Sequence, residues 1–208
     1  MIDKILSKGS VYVVGQDKFV CKTFFERGYT IETRQKSADI ICFIGGWDID
    51  PMLYGQQKNP EARVHVSVED DLRDIAAWKM KEDRQIACGI CRGGQFLNAM
   101  SGGKLYQHVS GHDSAHKVHD VIWGKEVVVS SSHHQMMIPG QTGEVLAYCE
   151  GIGKNFMTDK GSVSNADIEP EVIWYQSTKS LCFQGHPEWN PKEGSDYFFD
   201  LLDMVRGG

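Results

Sequence analysis

Residues 85–103 read QIACGICRGGQFLNAMSGG. A short apolar run, Ile86 and Ala87, leads into Gly89-Ile90-Cys91-Arg92-Gly93. Phe96, Leu97, Ala99 and Met100 follow at helical spacing before Gly102-Gly103 closes the segment. A cysteine at the apex of a strand-to-helix turn, with glycine two residues to either side, has the form of a nucleophile elbow built on a thiol. The turn is too tight for flanking side chains, which accounts for the glycines. The helix that begins after Cys91 aims its free N–H groups and the positive end of its dipole at the sulfur, a field that favours thiolate, the attacking species. Two plainer readings compete. A cysteine in an apolar stretch is commonly a small buried hydrophobe, and Cys88-Gly-Ile-Cys91 also spells the C-x-x-C of a redox pair. Cys88 falls inside the expected strand and not on the exposed turn, which argues against redox chemistry.

Outward from the elbow, the preceding segments set its frame. Residues 10–15 (SVYVVG) form an apolar, β-branched run ending in glycine. Residues 18–27 carry Phe19, Val20, Phe24 and Phe25 at helical spacing. Residues 29–33 alternate as a second strand, and residues 38–44 (ADIICFI) read as a strand covered on both faces. Residues 69–81 (EDDLRDIAAWKMK) form an amphipathic helix with acids in its first turn, lysines at its end, and Leu72, Ile75, Ala76 and Met80 as its apolar stripe. This rhythm predicts an α/β layered fold with ligands at the carboxyl ends of its strands.

Those carboxyl ends carry the polar motifs. Gly45-Gly46-Trp47-Asp48-Ile49-Asp50-Pro51 follows the third strand, and paired glycines there let backbone N–H groups approach a ligand, as an oxyanion hole requires. By itself Gly-Gly is a turn. Asp48 and Asp50 lack the further oxygen ligands of a calcium loop. Strands at residues 126–129, 143–149, 171–175 and 181–183 complete the expected set. The first opens onto Ser130-Ser131-Ser132-His133-His134-Gln135, a dense polar run of the kind that a pocket for an amino acid's charged ends uses. The last opens onto Gln184-Gly185-His186-Pro187-Glu188-Trp189. Residues two apart in an extended segment share a side, and Pro187 biases His186 toward extended geometry. Glu188 is therefore able to hold the His186 ring, a base with its orienting partner. Standing alone, the same segment would be a proline-stabilised surface turn. Residues 197–205 (YFFDLLDMV) read as a closing helix.

Between these motifs the residues from 104 to 121 turn polar and histidine-rich. His112, His116 and His119 would meet if the segment were helical, which raises a metal site. Gly111, Asp113 and Ser114 favour a loop, no acid or thiol in order completes a ligand set, and surface or pocket-lining histidines are the expectation. The polar connection from 154 to 170 has no assignable structure.

The chain has 208 residues, enough for one domain spanning 1–208 with its own core. A net charge of −6 and a pI near 5.7 speak against nucleic-acid or anionic-membrane partners. The first fifteen residues lack a signal-peptide apolar core, and no run approaches membrane-spanning length. Six scattered cysteines suit reduced thiols of a cytoplasmic protein.

Taken together, the four motifs near residues 45, 91, 132 and 186 resemble those of class I glutamine amidotransferase domains, in the same order and over most of the chain. Gly-Gly-x-Asp-x-x-Pro-x-x-Tyr-Gly (45–55) points to the γ-glutamyl hydrolase branch, which includes γ-glutamyl-γ-aminobutyrate hydrolase. The resemblance implies a flavodoxin-like, three-layer α/β/α sandwich with a mostly parallel central sheet. It implies Cys91 as nucleophile, His186 as base and acid, and Glu188 as its orienter. The backbone N–H groups of Arg92 and Gly46 would receive the oxyanion. Gly45, Gln95, His133, His134 and Gln135 would hold the glutamyl group, with no metal and no cofactor. The partner would be a small γ-glutamyl substrate cleaved through a thioester. Alternatives are a glutaminase subunit feeding ammonia to a separate synthetase, and a non-catalytic binding or sensing protein. Self-association into a homo-oligomer stays open. Two departures stand out: Cys88 occupies a position usually aliphatic, and residues 151–171 follow no recognised pattern, which implies altered substrate entry or a partner-docking surface.

Overall fold

The computed structural model describes residues 8–207, so the leader reading, which rests partly on residues 1–7, lies in part outside the described residues. The first strand, β1 (Ser10–Val13), is followed by α1 (Lys18–Glu26), β2 (Thr30–Ile31) and β3 (Ile40–Phe43). Then come α2 (Val68–Lys79), β4 (Ile86–Ile90) and α3 (Arg92–Met100). A run of short strands comes next: β5 (Lys104–Tyr106), β6 (His108–Ser110), β7 (His116–Asp120), β8 (Glu126–Val129), β9 (Met136–Ile138), β10 (Glu144–Cys149), β11 (Lys154–Thr158) and β12 (Gly161–Ser162). The chain closes with β13 (Glu169–Tyr175), β14 (Ser180–Phe183) and α4 (Lys192–Gly207).

Nine strands form the central sheet in the order β2-β1-β3-β4-β14-β13-β10-β7-β8. From β2 to β14 every pairing is parallel, and from β14 to β8 every pairing is antiparallel. The α/β fold class is as expected, but half of the sheet is an antiparallel extension. Short connections join β7 to β8 and β13 to β14, and no helix intervenes between β7 and β14, since antiparallel pairing needs no crossover helices. The residues from 104 to 121, expected as loop, supply β5, β6 and β7. Those from 154 to 170 supply the hairpin β11–β12, which joins β6 in a separate three-stranded sheet.

Two apolar cores sandwich the sheet. Val20 and Phe24 of α1 and Phe198, Leu201 and Leu202 of α4 pack on one face; Ala77 of α2 and Phe96, Leu97 and Ala99 of α3 pack on the other. Asp17 caps α1 by accepting from the N–H groups of Phe19 and Val20. Within that helix, Phe19 and Phe25 stay exposed, because the apolar stripe one turn wide needs only Val20 and Phe24.

The inner face of α2 departs most from expectation. Leu72, Ala76 and Met80, assigned to the apolar stripe, face solvent, and Asp71, Asp74 and Ala77 are buried. The cause lies in α3: the guanidinium of Arg92 is only 2% exposed and pairs with Asp71 at 2.5 Å and with Asp74. A buried cation requires such partners, so helix rotation follows the charge and leaves Leu72 and Met80 outside. Among the described residues no helix is long and apolar enough to cross a membrane.

Candidate active site

Cys91 stands at the junction of β4 and α3 with φ 50° and ψ −112°, a backbone conformation that L-residues rarely adopt. The strain is held in place on both sides: the Cys91 N–H donates to Phe183 O of β14 at 2.8 Å, and the Gln95 N–H donates to Cys91 O at 3.0 Å. The neighbouring glycines are required by proximity. A Cβ on Gly93 would lie 2.2 Å from Phe43 O, and one on Gly89 2.3 Å from the Gly93 backbone. The helix thus starts pressed against the ends of β3 and β14, with its N-terminus directed at the sulfur.

β14 delivers the second half. Beyond its end, His186 Nδ1 lies 2.7 Å from Glu188 Oε1, the pairing expected from their spacing. The turn is closed by the Trp189 N–H donating to His186 O at 3.1 Å. A Cβ added to Gly45 would lie 3.1 Å from His186 Cε1 and 3.8 Å from Cys91 Cβ, so glycine there lets sulfur and imidazole face one another. Burial of His186 disfavours its cation, but hydrogen bonding and charge from Cys91 and Glu188 outweigh that and push its pKa up to about 10. The arrangement is suited to hold an imidazolium at neutral pH.

A cleft of about 480 Å³ opens on this pair, lined by Gly45, Gly46, Ser132, His186, Glu188 and Trp189, with Asp17, Phe19 and Val20 of the α1 entry on its other side. Arg92 opens α3, where N–H groups lack intrahelical acceptors. Gly46 sits against the Arg92 side chain, its built Cβ 3.4 Å from Cδ. The loop carrying Gly46 is tied to the same ion cluster, since the Asp50 N–H donates to Asp71 Oδ2 at 3.0 Å.

The remaining expected contacts sit deeper. Gln95 is buried, its Nε2 donating to Gln135 O at 3.0 Å and Gln184 Oε1 at 3.3 Å. His133 is buried with Nδ1 donating to Gln135 O. Gln135 is buried as well, and His134 reaches out to Asp48 at 3.1 Å. The polar loop turns these side chains inward or sideways to satisfy buried groups, and Ser132 is the residue of that run on the cleft wall. Cys88 lies fully buried in β4, as the strand reading requires, and forms no disulfide.

Three residues given no role from sequence belong to the site. Trp189 stacks on the His186 ring at a centroid distance of 3.7 Å and an interplanar angle of 7°. Gln184 places Nε2 4.0 Å from Cys91 Sγ. Ser130 Oγ donates to His186 O at 2.5 Å and accepts from the His186 N–H at 3.2 Å. An aromatic three residues past the histidine was a legible signal; the serine's partner, 56 positions away, was not.

Comparison with known proteins adds the following. Residues 24–157 match the family described as Peptidase C26. A putative glutamine amidotransferase of Mycobacterium tuberculosis is 29% identical over 183 residues, covering 82% of this chain and 57% of that protein. The carbamoyl phosphate synthase small chain of Ralstonia nicotianae is 30% identical over 129 residues, covering 61% of this chain and 31% of its own length. Among solved structures, a glutamine amidotransferase from Thermotoga maritima superposes with a TM-score of 0.58 at 12% identity, covering 96% of this chain and 84% of that one, a likeness of fold.

Proposed function

The chain belongs to the Peptidase C26 family, and from that membership and the geometry of the cleft we propose that it is a cysteine hydrolase of γ-glutamyl amides, in the γ-glutamyl hydrolase branch. The observation that carries the reading is Cys91 at a strained elbow, facing an imidazole whose other nitrogen is held 2.7 Å from Glu188.

In the proposed reaction the Cys91 thiolate adds to the side-chain carbonyl of the substrate. The oxyanion is received by the N–H groups of Arg92 and Gly46, each such donor being worth roughly 3–4 kcal/mol of barrier. The carbon–nitrogen bond breaks as the His186 imidazolium gives its proton to the departing amine, leaving a γ-glutamyl thioester. Water, deprotonated by the same imidazole, attacks the thioester and releases glutamate and the thiolate. The raised His186 value suits the first proton transfer, because the ring arrives at the reaction already charged. Gly45 and Ser132 face the glutamyl chain. Gln95, His133, His134 and Gln135 shape the loop and floor beneath it, a less direct role than the resemblance implied.

Cys91→Ala is expected to abolish glutamate release from a panel of γ-glutamyl amides, glutamine included, with an unchanged circular dichroism spectrum. Retention of more than a few per cent of turnover removes Cys91 from the role. Glu188→Gln should cost less, since it orients and does not react.

A second reading is a glutaminase subunit that supplies ammonia to a synthetase partner. It is favoured by the similarity to a carbamoyl phosphate synthase small chain. Glutamine hydrolysis that rises sharply on addition of a synthetase would select it; full activity of the isolated chain on other γ-glutamyl amines would select the first.

A further inference from the structure

Behind the cleft, on the antiparallel side of the sheet, lies a group that the proposed chemistry does not use. Glu169 and Glu171 at the start of β13 are each 1% exposed, and among the described residues neither forms an ion pair with a lysine or arginine. Their partners are histidines and Cys149. Buried carboxylates without a fixed cation are costly.

The histidines are oriented in a consistent way. His112 Nε2 lies 2.8 Å from Glu169 Oε2, a carboxylate itself fixed by the Gly153 N–H. His116 Nδ1 lies 3.1 Å from Ser114 O, and His133 Nδ1 lies 2.8 Å from Gln135 O. Carbonyl and carboxylate oxygens only accept, so each of these outer nitrogens carries the proton. In neutral rings the inner nitrogens are then bare lone pairs, and all three face one oxygen, Glu171 Oε1. The separations are 3.3 Å from His112 Nδ1, 3.2 Å from His116 Nε2 and 3.7 Å from His133 Nε2, with Cys149 Sγ at 3.8 Å. His112 Nδ1, His133 Nε2 and Glu171 Oε2 are buried without a hydrogen-bond partner. Lone pairs aimed at a carboxylate repel unless positive charge lies between them.

We propose that His112, His116, Cys149 and Glu171 bind a divalent transition cation of the zinc type. Their ligand atoms all lie within 4.8 Å of one another. Tetrahedral zinc with nitrogen, sulfur and oxygen ligands has edges of roughly 3.3–3.6 Å. The three edges from Glu171 Oε1 fall near that range. Glu169 and the Ser114 carbonyl act as the outer partners that fix ring tautomers in metal centres. Binding would release the Cys149 proton to solvent and leave a thiolate–metal bond. Neighbouring contacts give the ion a structural role. His112 O accepts from both Ser131 Oγ at 2.7 Å and the His133 N–H at 3.0 Å, so the ion anchors the loop that carries Ser130 to His186 and Ser132 to the cleft.

The test uses Cys91→Ala, which removes the other thiol–imidazole pair as a competing metal site. After incubation with zinc and exhaustive dialysis, elemental analysis should find about one zinc per chain. Cobalt loading should give the visible bands of a tetrahedral ion together with a thiolate charge-transfer band. Adding Cys149→Ser should remove the charge-transfer band, and chelation should lower the melting temperature of the Cys91→Ala protein. Zinc below about a tenth of an equivalent with no cobalt spectrum in Cys91→Ala, a measurement that does not depend on the second variant's folding, would overturn the site. A charge-transfer band that survives Cys149→Ser would do the same.

Discussion

The charge state of one imidazole sets the chemistry of this site. His186 is hemmed in by Glu188 on one nitrogen, by Cys91 across the Gly45 gap and by the Trp189 ring on its face. With its pKa raised to about 10, the ring is protonated in folded and unfolded chains alike below the ordinary histidine value, and its contribution to stability is at full strength there. That contribution is lost as the pH climbs through about 10, where the folded ring gives up its proton. The stability gap between the native chain and His186→Gln should accordingly be widest near pH 6 and shrink toward about pH 10, as followed by denaturant unfolding. The His186 ring resonance should titrate near 10, and nearer the ordinary histidine value in Cys91→Ala. A ring that titrates near 6.5 in the native chain would mean that neither partner holds the proton in place. The histidine and its carboxylate were legible in sequence because their geometry is local, fixed by two-residue spacing and a proline. The inward turn of Gln95 and Gln135 was not, because their partners Gln184 and Gln107 lie far away in the chain.

At the scale of elements, α2 and α3 meet through charge where apolar packing was expected. Helical periodicity counts apolar residues, and by that count Leu72 and Met80 face inward. The structure instead turns Asp71 and Asp74 toward Arg92, whose backbone N–H is an expected oxyanion donor. Reading that from sequence would have required knowing that Arg92, one residue past Cys91, is buried. Asp74 is fully buried and also accepts from Arg73 Nε at 3.1 Å. Asp74→Asn should destabilise the fold by about 3 kcal/mol, since removing one partner leaves buried positive charge undercompensated. For a chain of this size that corresponds to a fall in melting temperature of roughly 6–12 °C. A change within about 1 °C would show that Asp71 alone suffices for Arg92. The glycines flanking the elbow, by contrast, were read correctly from sequence alone: contacts of 2.3 Å and 2.2 Å for a built Cβ at Gly89 and Gly93 bear out that no side chain fits there.

Across the whole molecule, the sheet divides into a parallel half that carries Cys91 and an antiparallel half that carries the histidine–glutamate cluster. The parallel half was legible because its strands are continuous apolar runs separated by helices. Of the antiparallel half, β7 was missed because its five residues carry histidine and lysine on the open face and lack a clean apolar alternation. The two halves meet at β14, and one side chain links the loop of one to His186 of the other. Ser130, at the end of β8, both donates to and accepts from the His186 backbone. The fit is close, since a Cβ on Gly185 would lie 2.8 Å from Ser130 O. Ser130→Ala leaves the His186 carbonyl and N–H without their side-chain partner, at a cost of about 1–3 kcal/mol. Because the ring hangs from that backbone, a share of the cost should appear in the barrier. On a γ-glutamyl substrate, kcat should fall by about tenfold, with KM changed far less. Ser130→Thr, which keeps the hydroxyl, should recover most of the loss. If Ser130→Ala lowers the melting temperature while kcat stays at its native value, the serine supports the sheet without positioning His186.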